Sequence, residues 1–311
     1  MSTSSVLRSP KADPLYAQPP ADRPAYATGM LLDAQDFLDE QTYHRGRLAR
    51  ALMLLAGGGT LAGLRVSYQA AVEADEETDT PAVPEEIRVE PGLAVDRLGR
   101  LIELQRPACL RLARWWDATE EDSLRVAAYT GFTDLLSARV QQGVTLPTRA
   151  VAADIYLRFT ACPRGLTPAF ASGPFDALNA VSTSRVRDGY ELTMVPRAGL
   201  AAGTPGLPLP AGGSDIGSAD ADVRRAALQD AVFDGYPATD EGDGSGNLPG
   251  LSEHPTDVGI DTTSVFIARV LIPVSGGDGD PAERDGDAVL VDNYSRRLLP
   301  GVALLSRLAG Y

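Results

Sequence analysis

Apolar and polar positions recur along this chain in two periods, and the switch between them divides it. From residue 33 to residue 56 the period is helical. Phe37, Gln41, His44, Leu48, Ala51 and Leu55 follow one another at alternating spacings of four and three, which sets them on one stripe, the seam of a coiled coil. Two seam members, Gln41 and His44, are polar, and Leu52 widens the apolar side of the second half. Asp33 is the expected N-cap. Asp36, Asp39 and Glu40 crowd the end where the helix dipole favours negative charge, Arg45, Arg47 and Arg50 lie towards the other end, and Gly57 offers the stop.

Beyond Gly59 the period falls to two. The stretches "LRVSYQA", "EEIRVEPGLAVD" and "RLIELQR" alternate and are rich in β-formers. "DRLGRLIEL" predicts a hairpin turning at Leu98 and Gly99, with Gly99 free to take positive φ and Asp96 and Arg100 flanking the turn in position to pair. "SLRVAAYTGF", "VAADIYLRFTAC", "GYELTMVPR" and "TTSVFIARVLIPV" predict further strands, and "AVLVDNYSRRLL" follows the last of them. Two Gly/Pro-rich loops, 201–218 and 235–259, flank a short helix, "ADVRRAALQDAVF", and an amphipathic stretch, "LLPGVALLSRLAGY", ends the chain.

The class expected is α+β, with a β-rich, sandwich-like body. Residues 1–28 read as an extended arm, 29–66 as a helical assembly segment and 67–200 as the β-rich body. Residues 201–262 read as a loop-rich insertion with a short helix, and 263–311 as closing strands with a C-terminal helix. Within the arm, Pro10, Pro14, Pro19, Pro20 and Pro24 forbid a continuous helix. Leu15, Tyr16 and Tyr26 are spaced anchors expected to dock on a neighbouring subunit.

Charge narrows the partners. The formal net charge is −14, so neither nucleic acid nor an anionic membrane surface is an expected partner. Lys11 is the sole lysine, which removes a Walker lysine, a Schiff-base lysine and an S-x-x-K system from the body of the chain. Cys109 and Cys162 lack C-x-x-C spacing, no secretory apolar segment opens the chain, and the longest apolar run is too short and glycine-rich to cross a bilayer. A cytoplasmic product with reduced thiols is expected.

Candidate chemistry is thin. Asp36, Glu40 and His44 share a helix face, but Gln41–His44 stands where a bundle metal site would need Glu-x-x-His, and no second such motif occurs. No G-x-S-x-G accompanies the two histidines, and His254, in "LSEHPTD", reads as a surface turn residue. "LLAGGGTLAGL" follows a helix and lacks a terminal GK[ST], so it reads as a helix stop and flexible joint instead of a phosphate loop. The acidic loops "DEGDGSGN" and "GGDGDPAERDGD" lack the spaced calcium pattern. Trp115 and Trp116 stay open between a stacking patch and one core plus one edge residue, as neighbours on a strand would be. No catalytic residue, metal or cofactor is expected.

The order of the pieces carries a resemblance. "GMLLDAQDFLDEQTYHRGRLAR", then "GGTLAGLRV", then "IRVEPGLAVDRLGRLIEL" resembles an uncharacterised family encoded beside baseplate and sheath genes of tailed phages and phage-tail-like contractile injection systems. Glu40, Gln41, Tyr43, His44, Pro91, Gly92, Asp96, Gly99 and Arg100 carry the match, and "SRVRDGYELTMVP", "VFIARVLIP" and "VDNYSRRLL" extend it. "LMLLAGGGTLAGL" departs from the family's longer aromatic segment. The resemblance implies a structural component of such a particle, in the baseplate, a tail fibre or a peripheral attachment. It would be assembled in the cytoplasm, homo-oligomeric, and partnered by other particle proteins. A receptor- or glycan-binding β-module of the same particle is the alternative.

Overall fold

A computed structural model describes residues 13–17, 22–74, 81–132, 134–168, 181–200, 206–208, 217–218, 220–234, 248, 250–256, 258–277 and 279–308. Helix makes up 26% and strand 33%, and the strands lie in several antiparallel sheets, so the chain is α+β. Among the described residues no helix is long and apolar enough to cross a membrane.

Among the described residues the first elements are a short 3-10 turn (Pro14–Ala17) and the 23-residue helix α1 (Ala34–Ala56). Strands β1 (Gly59–Gly63) and β2 (Val66–Gln69) follow, then β3 (Glu86–Val89), β4 (Gly92–Val95), β5 (Leu101–Leu104) and β6 (Ala108–Arg111). They form two three-stranded sheets, ordered β1-β4-β5 and β2-β3-β6. The chain changes sheet three times, between β1 and β2, between β3 and β4 and between β5 and β6. The first two links run side by side, with Leu64 N–H donating to Pro91 O at 3.1 Å and Glu90 N–H to Arg65 O at 2.8 Å. This crossing accounts for two of the glycines in the sequence motifs. A Cβ on Gly63 would collide with Pro91 O, and one on Gly92 with the backbone of Ala62 and Leu64.

Helices α2 (Leu112–Ala118) and α3 (Glu121–Val126), strand β7 (Ala128–Tyr129) and helix α4 (Ala138–Gln141) lead into the longest strands, β8 (Ala150–Pro168) and β9 (Val181–Pro196). After helix α5 (Ala221–Asp234) come β10 (Val265–Ser275), β11 (Glu283–Arg284), β12 (Leu290–Asp292) and helix α6 (Val302–Leu308). The third sheet has β10 beside β8, β9 on the far edge of β8, and β11 and β12 on the outer edge of β10. Every residue of β10 except Ser275 is buried, as a strand covered on both faces requires.

Three expectations change. "SLRVAAYTGF" begins in helix α3, which runs to Val126, and only β7, Ala128–Tyr129, is extended. Trp115 and Trp116 lie on helix α2, so the strand argument for separating them fails; both are half-buried against the core, and Trp115 Nε1 donates to Met194 O at 2.8 Å. The glycine stretch after α1 is not a joint. It enters β1, where Thr60 N–H donates to Arg297 O and Leu299 N–H to Thr60 O, both at 2.9 Å.

The third sheet buries charge. Asp154 of β8 and Arg269 of β10 are fully buried and face each other in register, with Arg269 Nε 2.7 Å and Nη2 2.8 Å from the two carboxylate oxygens. Arg269 also donates to the carbonyls of Leu135 and Gly206. Arg197 Nε lies 3.0 Å from Asp154 Oδ2, close enough for an ion pair but not aligned as a hydrogen bond. One carboxylate thus serves two guanidinium groups, and removing it leaves both without their counter-charge. Asp154→Asn is expected to cost about 3–5 kcal/mol of unfolding free energy. Urea denaturation checks this; a loss below about 1 kcal/mol would mean that the neighbouring carbonyls suffice.

Candidate assembly surface

Helix α1 starts as the sequence predicts. Asp33 accepts the backbone N–H groups of Gln35 (2.7 Å) and Asp36 (3.2 Å), and the Asp36 carboxylate accepts Asp33 N–H at 2.9 Å. This reciprocal pair closes a capping box with Asp in both roles. At the other end Gly57 N–H donates to Met53 O.

Only Ala49 of α1 is buried. The helix meets the rest of the protein along Gly46, which lies against Leu15, and along Ala49, which lies against Gly99. At about 100° per residue that contact line lies roughly opposite the stripe through Phe37, Gln41, His44, Leu48, Ala51 and Leu55. All six stripe residues are exposed, with Leu48 at 57% and Leu55 at 87%. Tyr43 is half-buried and packs edge-on to His44 at 5.3 Å between ring centroids.

The seat for α1 is the β4–β5 turn. Asp96 is fully buried and accepts Leu98 N–H, Arg100 N–H (both 2.9 Å) and Arg100 Nε (2.6 Å). The two residues expected to pair across the turn do so. Burial pushes the Asp96 carboxyl upward, and the Arg100 guanidinium and the backbone donors oppose it. Gly99 takes φ +83°, and a Cβ there would overlap the backbone of Ala49. Arg100 continues outward to Asp13 (3.3 Å) and to Thr263 Oγ1 (2.9 Å), and its guanidinium stacks 4.7 Å from the Phe159 ring centroid.

The arm residues are placed differently from expectation. Leu15 is buried in its own subunit, in a pocket it shares with Leu48, Ala49, Leu52 and Gly99. Asp13 pairs with Arg45 (3.1 Å) as well as Arg100. Tyr26 donates to Glu40 of α1 at 2.6 Å, and that carboxylate holds the Tyr26 phenol above its ordinary pKa. Leu15 and Tyr26 therefore find partners within the same chain, because buried Arg100 and the acidic helix end draw this segment in. The Tyr16 side chain and residues 1–12 lie outside the described residues.

Tyr236 and most of the loops at 201–218 and 235–259 also lie outside the described residues. Among the described residues no group of three or more His, Cys, Asp and Glu side chains is gathered to hold a metal ion. His254, expected at a surface turn, is instead buried. Its Nδ1 accepts Leu251 N–H at 3.1 Å, which makes Nε2 the protonated nitrogen, donating to Ser264 O at 2.9 Å. Sequence reasoning missed it because polar loop neighbours hide a ring that bridges two backbone segments.

No family model matches this chain, and no curated protein sequence matches it.

Two outcomes follow from this geometry. Gly99→Ala combines a positive φ with a backbone overlap, so it should cost at least about 2 kcal/mol and loosen α1 before the sheets. Hydrogen exchange checks this, with faster exchange expected in 34–56 and little change in β10. Burial pushes the His254 pKa below 6.5. The unfolded chain then gains a proton that the folded ring resists, so stability is full above that value and falls as pH drops below it. Thermal melts at about pH 7.5 and about pH 5.5 should differ less for His254→Asn than for the parent; equal differences would refute the assignment.

Proposed function

We propose that this protein is a structural component of a phage tail or contractile injection particle, a baseplate, tail-fibre or peripheral attachment protein that assembles through α1. The observation that carries the reading is a capped, 23-residue helix with one buried residue and an exposed apolar stripe opposite its seat. In proteins most helical stability comes from packing an amphipathic face and little from propensity alone. Fully burying Phe37, Leu48 and Leu55 would contribute about 1.5–3 kcal/mol for each side chain. Gln41 and His44 in the stripe would specify register at some cost in stability, as polar seam residues do.

The ordered motifs add the setting. The crossing at Gly63 and Gly92, and the turn at Asp96, Gly99 and Arg100, give the resemblance a structural rationale: they join the sheets and seat the helix. In this reading a sandwich-like body carries α1 outward as a non-enzymatic assembly element, taken from the cytoplasm into the particle, with other particle proteins as partners.

A second reading, receptor or glycan binding, rests on an open groove of about 750 Å³ lined in part by Arg65, Arg139, Leu146 and Tyr294. Tyr294 already stacks under the Arg139 guanidinium at 4.3 Å, which leaves less aromatic surface for a sugar and ranks this reading second.

Light scattering on the purified protein tests self-association through the stripe. Leu55→Asp should weaken association by on the order of tenfold or more and leave the melt almost unchanged, since Leu55 is 87% exposed. A parent protein that stays monomeric at micromolar concentrations, with no change on substitution, refutes assembly through the stripe. Failure of the tagged protein to co-purify with tail or sheath proteins from its own cells refutes the particle setting.

A further inference from the structure

Beyond Arg158, β8 parts from β10 and pairs with β9 alone. Residues 158–168 and 181–191 thus form a two-stranded ribbon reaching out of the third sheet. Side chains on a strand alternate faces, so the register sorts them. Phe159 and Asp188 belong to one face and line the pocket beneath Leu48, Ala49 and Gly99. The opposite face carries Arg158 against Glu191, then Cys162 against Arg187, Arg164 against Arg185 and Leu166 against Thr183.

Arg158 is satisfied by Glu191 and Asp261. Arg164, Arg185 and Arg187 are exposed and make no ion pair with the described residues. Like charges directly opposite on two strands repel, and here they sit beyond Ala161, which packs against the core, in a chain of net charge −14. Folding does not call for this arrangement; an anionic surface does.

We propose that the β8–β9 ribbon is a docking finger whose arginine face binds the acidic N-terminal end of α1 in a second copy of this chain. That end presents Asp33, Asp36 and Asp39 beside exposed Leu31 (94%) and Leu32. The ribbon offers the complement, three guanidinium groups beside exposed Leu166 (72%). The chain's own α1 is approached by the other face of the ribbon, so the acids facing these arginines come from another copy. The contact joins unlike surfaces, and therefore gives a reciprocal pair, a ring or an open filament according to the rotation between copies. It does not depend on the particle setting, and it uses a different face of α1 from the apolar stripe.

Sedimentation velocity of the full chain at about 20 mM and about 500 mM salt tests it. Association should weaken at least about tenfold at the higher salt, where exposed charges are screened. Arg185→Glu with Arg187→Glu should abolish association at low salt, and so should Asp36→Lys with Asp39→Lys. Mixing the two variants should restore a complex. Circular dichroism checks that both remain folded: Arg185, Arg187 and Asp39 are exposed, and replacing Asp36, half-buried in the capping box, leaves the Asp33 half of the cap in place. Alkylation gives a second readout. Cys162 lies on the arginine face, and Cys109, also exposed, lies on β6. Assembly should slow labelling of Cys162 and spare Cys109. A parent protein that is monomeric at low salt overturns the proposal, as does an arginine variant that associates like the parent. Association lost in the arginine variant but kept in the aspartate variant assigns the ribbon to another acidic surface and overturns the choice of occupant.

Discussion

Asp96 is a carboxylate with no access to water, and such a group persists only if donors surround it. Three come from its own turn: two backbone N–H groups and the Nε of Arg100. The geometry that brings them in requires a residue at positive φ between Leu98 and Arg100, and Gly99 supplies it. With no side chain on Gly99, the backbone of Ala49 can lie directly on the turn. A tight hairpin thereby becomes the seat of a helix 50 residues earlier in the chain. Arg100 extends the same contact to Asp13, Thr263 and Phe159, so arm, turn, β10 approach and ribbon base share one buried charge pair.

That arrangement sets directions as well as stability. Phe159 is the second residue of the free ribbon, and it is stacked under the guanidinium that also holds the helix seat. Helix and ribbon therefore leave the body from adjacent points of one buried contact. Behind it, the Asp154–Arg269 pair ties β8 to β10 where both strands are fully buried. A buried ion pair is weak evidence for net stability, since desolvation offsets much of the attraction. Its effect here is on register: a shift of one residue would place Arg269 on the opposite face of its strand, away from Asp154.

Much of this was legible in the sequence where local chemistry decides it. The span of α1, its Asp33 cap, the Gly99 turn and the Asp96–Arg100 pair are all fixed within a few residues. The stripe from Phe37 to Leu55 was legible as a pattern, although its exposure was not, because periodicity does not say which side of a helix the body covers. What failed depended on long-range contacts. Trp115 and Trp116 sit in an apolar stretch too short for period to separate helix from strand. His254 looked like a surface residue because Ser264, its acceptor, is ten positions away. Leu15 and Tyr26 looked unpartnered because Arg100 and Glu40, which draw the segment in, belong to other elements.

The ribbon arginines were individually visible and collectively unremarked, since only the register places Arg164 opposite Arg185. Their significance comes from the rest of the chain. Copies carrying −14 repel one another, and pairing two stripes side by side would also bring together the acids at the start of each α1. The stripe has one large apolar residue, Phe37, in that first half beside polar Gln41 and His44, and Leu48 and Leu55 in the second, so most of its own attraction lies away from the repulsion. In the proposed contact a basic island on a projecting ribbon meets the repulsion at its source, because it offers another copy's acidic helix end opposite charge. On the two proposals together, apolar stripe and charged finger would divide the task, the first contributing buried area and the second orientation and salt-dependent approach.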